Sequence, residues 1–161
     1  MARVFLTTLG TNRYMECRYR LRNCDSSITP FVQEALVCQL CSEWNVTDRV
    51  IVFCTAEADK KNWLDQDQNN PEANFPQGLK TRLQKLCPAT LSHVSIPAGT
   101  TEKEIMEIFE IVANVLTDGD EVILDITHSF RFLSQAEQAK KQGEWARAAE
   151  LYDQVLREAP R

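Results

Sequence analysis

Apolar positions along the chain follow two rhythms. Short unbroken runs occur within "RVFLTT" (residues 3–8), "DRVIVFCT" (48–55) and "EVILD" (121–125), with a shorter, interrupted one in "LSHVSIP" (91–97). Runs of that length, rich in β-branched residues, predict strands, and the continuous "VIVFC" predicts a strand covered on both faces. Between them the spacing widens to three and four residues. In "SSITPFVQEALVCQLCSEW", Phe31, Val32, Ala35, Leu36 and Leu40 share one helical face, with Thr29 placed to cap the free amides and Pro30 suited to the first position. "LKTRLQKL" predicts a short helix. "TTEKEIMEIFEIVANVLTDG" predicts a longer one: Thr101 and Glu104 have capping-box spacing, Ile105, Ile108, Phe109, Val112 and Leu116 share a face, and Gly119 is placed to end it.

The remaining segments are more polar. "YMECRYRLRN" alternates Tyr14, Glu16, Arg18, Arg20 and Arg22 with Met15, Cys17, Tyr19 and Leu21, which predicts an exposed strand or hairpin. From Ala56 to Gly78 the chain reads as a long loop after one or two helical turns through "AEADKKNW". Strands alternating with helices predict an α/β fold, a mostly parallel sheet with flanking helices. Ligands of such sheets bind at the carboxyl ends of the strands. That rule brings together "TTLGTNRY", after the first strand, and "DITHSFR", after the last.

These two loops offer hydroxyl and amide groups from Thr7, Thr8, Thr11, Asn12, Thr127 and Ser129. Arg13 and Arg131 add positive charge, and His128 titrates near neutrality. Gly10 permits close backbone approach and conformations that other residues resist. Such groups suit an anion, phosphate above all. The same Thr-His-Ser turn also serves simply to cap a following helix. The set holds no acid pair, metal triad or Ser-His-Asp arrangement, and "LGTNRY" is neither a dinucleotide fingerprint nor a GxxxxGK[ST] loop.

Composition narrows the choice. The 161 residues, 43% apolar and 25% charged, make room for one soluble domain and a small appendage. A net charge of −5 argues against broad contact with duplex nucleic acid, though it leaves space for a local anion pocket. No apolar run reaches membrane-spanning length, and "MARVFLTTLG" reads as a strand rather than a signal peptide, which predicts a cytoplasmic protein. The six cysteines read as free thiols at small core positions. Cys38 and Cys41 form a CxxC, but no second pair completes a zinc site, so neither metal nor cofactor is expected.

Four segments, "FLTTLGTNRY", "TPFVQEAL", "DRVIVFCTAEADKKNW" and "DEVILDITHSFR", are similar, in order, to those of the CRISPR-associated Rossmann-fold (CARF) sensors. The nearest subgroup carries a D-x-T-H-G-F-R signature, in which Ser129 stands here for the usual glycine. The resemblance implies a Rossmann-like domain over residues 1–133, truncated relative to a family core that normally continues further. It also implies a homodimer that binds a cyclic oligoadenylate, cyclic tetra-adenylate foremost, across its two-fold axis. That messenger is made by type III CRISPR complexes that detect foreign RNA. Thr8, Gly10, Thr11, Asn12 and Arg13 would hold phosphate or ribose from one side, and Thr127, His128, Ser129 and Arg131 from the other. Lys60, Lys61 and Trp63 would belong to a covering loop. Some family members cleave the ring, which implies an alternative activity as a metal-independent ring nuclease. There the site aligns a ribose 2′-hydroxyl on the neighbouring phosphorus, with His128 and Arg131 assisting.

Residues 134–161 resemble a single tetratricopeptide repeat, with Gly143, Trp145, Ala148, Tyr152, Val155 and Pro160 at matching spacing. One such helical hairpin cannot bury its own apolar face. It is expected to pack on the sheet or on the dimer partner, the alternative being recruitment of an effector protein to a non-catalytic scaffold. The tail contains no His, so no HEPN nuclease motif is present in it.

Overall fold

The computed structural model describes residues 2–21, 24–66 and 75–127. The tetratricopeptide-like segment 134–161 lies outside the described residues, as do Arg22, His128, Ser129 and Arg131. Strands β1 (Arg3–Leu9), β4 (Arg49–Cys54), β5 (Thr90–Ser95) and β6 (Glu121–Leu124) form a four-stranded sheet in the order β5-β4-β1-β6, parallel throughout. A separate antiparallel hairpin pairs β2 (Cys17–Leu21) with β3 (Cys24–Thr29).

Alternation along the strands builds two cores. Phe5, Leu9, Val50, Val52 and Cys54 point to one face. There they meet Val37 of α1 (Val32–Leu40), Trp63, and Leu79 and Leu83 of α3 (Leu79–Gln84). Val4, Leu6, Ile51 and Phe53 point to the other, against Ile108 of α4 (Glu102–Asn114). Val50 through Cys54 are all buried, as a strand covered on both faces requires. At the amino ends of the strands, Arg3 clamps Asp48, with Nη2 2.6 Å from Oδ2 and the Arg3 backbone amide 3.0 Å from Oδ1. The Arg3 guanidinium, followed by the Asn45 amide, holds the Asp48 carboxyl well below the usual carboxylate range.

Several boundaries differ from the pattern reading. "CDSSIT" is strand β3 rather than a lead-in to the helix, and α1 starts only at Val32 with Phe31 as its N-cap residue. Thr29 ends β3. Its hydroxyl accepts the Phe31 amide at 3.2 Å and donates to Glu34, so it braces the entry without capping the helix. Helix α4 stops at Asn114, earlier than Gly119 suggested. Gly119, with φ of 85°, instead serves the turn into β6, where Asp120 accepts the Thr117 amide at 2.7 Å and pairs with Arg49. Thr101 does cap α4 by accepting the Glu104 amide at 3.2 Å, but Glu104 returns to the Thr100 amide at 2.7 Å, one residue earlier than a capping box requires. The buried face of α4 is also rotated: Ile111, Val112, Val115 and Leu116 pack with Ile108, and Phe109 is exposed.

The cysteines divide. Cys41 and Cys54 are buried, and burial pushes both thiols up to about 12. Cys17, Cys24 and Cys38 are exposed, against the expectation of core positions. Among the described residues no group of three or more His, Cys, Asp or Glu side chains is placed to hold a metal, and no helix is long and apolar enough to cross a membrane.

Candidate functional site

The parallel register sets Leu6 beside Leu124, so β6 ends alongside β1 three residues short of Leu9, where β1 stops, and the next residue, Asp125, ties the two strands. Its amide donates to Leu6 O at 2.8 Å, and its Oδ2 accepts the buried Thr7 hydroxyl at 2.7 Å. Its Oδ1 accepts the Thr127 amide at 2.9 Å and the Thr127 hydroxyl as well. The hydroxyls of Thr7 and Thr127 therefore both donate to Asp125.

Thr8 lies one residue before the end of β1 and pairs with Phe53 of β4. Its carbonyl accepts the Gln33 side-chain amide of α1 at 2.8 Å, and its own hydroxyl is buried. Gly10 is not in the left-handed region, which among the described glycines is occupied by Gly99 and Gly119. Its requirement is closeness: a Cβ there would sit 3.0 Å from the Tyr14 hydroxyl, which accepts the Gly10 amide at 3.0 Å. Tyr14 leans on Phe31 with ring centroids 5.3 Å apart. Burial pushes its hydroxyl up to about 12, so it stays neutral. Thr11 is half-buried, while Asn12 and Arg13 are exposed. Among the described residues, no acceptor pairs with the backbone amides of Thr11, Asn12 and Arg13.

The covering loop is corrected. Helix α2 (Ala56–Ala58) runs into a π-helical turn, Asp59–Trp63. Trp63 is buried there and stacks on His93 of β5, with centroids 5.2 Å apart, so it belongs to the core. Lys61 pairs with Glu57 at 2.7 Å, and Lys60 is exposed. The residue of this turn that reaches the loop is Asn62, which donates to Gly10 O at 2.8 Å and to Asn12 O at 3.1 Å. No periodicity or motif in the sequence singles it out. On the hairpin, Arg20 is engaged with Asp25 at 2.6 Å and Arg18 is exposed. An apolar groove of about 420 Å3 opens beside the tip of β6, lined by Phe5, Leu36, Leu40, Ile123 and Thr127 among others.

A parallel sheet with helices on both faces and polar loops gathered at adjacent strand tips defines a Rossmann-like ligand-binding domain. Residues 4–138 match the family model of the CARF domain of the CRISPR system endoribonuclease Csx1, and the chain belongs to that family. Membership implies a CRISPR type III-associated sensor of cyclic oligoadenylate. No curated protein matches the chain.

Proposed function

We propose that two copies of the chain bind one cyclic oligoadenylate, cyclic tetra-adenylate foremost, with the β1 and β6 tips of each copy turned toward the two-fold axis. The observation that carries this reading is the loop after β1. Its carbonyls at Gly10 and Asn12 are held by the Asn62 side-chain amide, and that of Thr8 in the strand before it by Gln33, while its amides at Thr11, Asn12 and Arg13 are unpaired among the described residues. Those amides and the Arg13 guanidinium take a phosphate of the ring. The segment after Thr127, with His128, Ser129 and Arg131, supplies the opposite wall. A ring with internal two-fold symmetry suits a site shared by two identical chains.

The test is calorimetric titration of the full chain with rings of three, four and six adenosines, followed by chromatography of the ligand. Tight binding of the four-membered ring, recovered unchanged, supports a sensor. Linear products that vanish in His128→Ala or Arg131→Ala would assign ring-nuclease activity to the same site. Absence of binding by any ring overturns the proposal and favours a scaffold role.

A further inference from the structure

Three side-chain oxygens around the β1–β2 loop are buried without a hydrogen-bond partner: Thr8 Oγ1, Gln33 Oε1 and Asn62 Oδ1. Gln33 is 0% exposed and Asn62 2%. A primary amide buried with half its capacity unmet costs stability, and an apolar residue of similar volume would avoid that cost. Both amides instead direct their N–H groups to main-chain carbonyls of the β1 end and the loop that follows it, Gln33 to Thr8 and Asn62 to Gly10 and Asn12. Asn62 is carried by the π-helical turn, closed by the Leu64 amide on Asp59 O at 3.1 Å. Such turns are rare, and they recur where a helix must aim a residue at a functional site.

We propose that Asn62, seconded by Gln33, is a positioning residue for ligand binding. By drawing the Gly10 and Asn12 carbonyls into the protein, it leaves the Thr11, Asn12 and Arg13 amides to an anionic group, the phosphate of a phosphodiester. This rests on the ring-binding reading above and names what shapes that site. Asn62 touches no ligand in this account; it acts through the backbone of the loop.

The experiment compares Asn62→Ala and the near-isosteric Asn62→Asp with Val37→Ala, a core truncation in α1. Asn62→Asp removes both donors and places a carboxylate against two carbonyl oxygens. Affinity for cyclic tetra-adenylate, melting temperature and backbone NMR order parameters of Gly10–Arg13 are measured on each full chain. Both Asn62 variants are expected to lose about tenfold or more in affinity, as two missing hydrogen bonds imply. Loop order falls with it, whereas Val37→Ala melts earlier but keeps wild-type affinity. Val37→Ala losing as much affinity as the Asn62 variants overturns the inference, because the effect then follows general stability. Asn62 variants that keep both loop order and affinity overturn it too, and leave ring binding intact. A wild-type chain that binds no ring overturns both readings at the first titration.

Discussion

Thr7 and Asp125 meet across a sequence separation of 118 residues, buried, with no solvent to replace either partner. Thr7→Val keeps the shape and removes the donor, which strands a buried carboxylate oxygen. A loss of about 1–3 kcal/mol is expected, read from the urea midpoint at neutral pH, with Thr7→Ser close to wild type. An unchanged midpoint in Thr7→Val would show that the contact carries no weight. This residue also shows how far the sequence reaches. Hydroxyls at a strand tip are chemically alike, so Thr7, Thr8, Thr11 and Thr127 were equal candidates. Which of them is consumed by the scaffold depends on strand pairing that no local pattern encodes. Asn62 was invisible for the same reason, since its two partners lie 52 and 50 residues away. Gly10 was legible as a special position, but its constraint is the nearby Tyr14 hydroxyl rather than a positive φ.

Continuous apolar strands and the amphipathic α4 were readable because burial on a face leaves a period in the sequence. The β3 strand was not, because "CDSSIT" in a solvated hairpin has no apolar alternation, and the Thr-Pro that follows imitates a helix start. Contacts between elements leave still less trace. Gly78 begins α3, and a Cβ there would fall 2.3 Å from Trp63 O and 2.5 Å from Leu64 O, both backbone atoms of the π-turn and its exit. Gly78→Ala must push α3 off that turn, so a destabilisation of about 1–3 kcal/mol is expected, as for other overpacked sites. A melting temperature equal to wild type would contradict it. The Arg3–Asp48 clamp joins the starts of β1 and β4 and is sensitive to acid. The folded Asp48 pKa is depressed, so the pair's contribution is complete above the unfolded value of about 3.9 and fades as pH falls through that window toward the folded value. Asp48→Asn should lower the melting temperature at pH 7 and narrow its gap to wild type as pH drops below about 4. A gap that stays constant over that range would remove the clamp as a source of acid sensitivity.

At the scale of the whole molecule, strand order is what brings the site together: β1 and β6, first and last of the described strands, are neighbours in β5-β4-β1-β6. Strand–helix alternation made a parallel sheet legible, and the carboxyl-end rule is what singles out these two strands as the place to look for a ligand. The long-range field was legible too, from the net charge of −5 per chain. The proposed dimer, at twice that net charge, would repel a ring bearing one negative charge per phosphate. In the proposed site the attraction comes from short-range donors, the amides of residues 11–13 and the Arg13 guanidinium, rather than from a basic surface. Salt screens the repulsion together with the local attraction. Proteins that hold duplex DNA through 6–10 phosphate contacts lose about 10³–10⁵ in affinity between 50 and 200 mM salt. For this chain the expected loss for cyclic tetra-adenylate over the same range is less than about tenfold, with one ring bound per two chains. Calorimetry at the two salt concentrations reads both quantities. A steep salt dependence would place the binding energy in salt-screened contacts between full charges and not in the loop amides, and one ring per chain would remove the shared two-fold site.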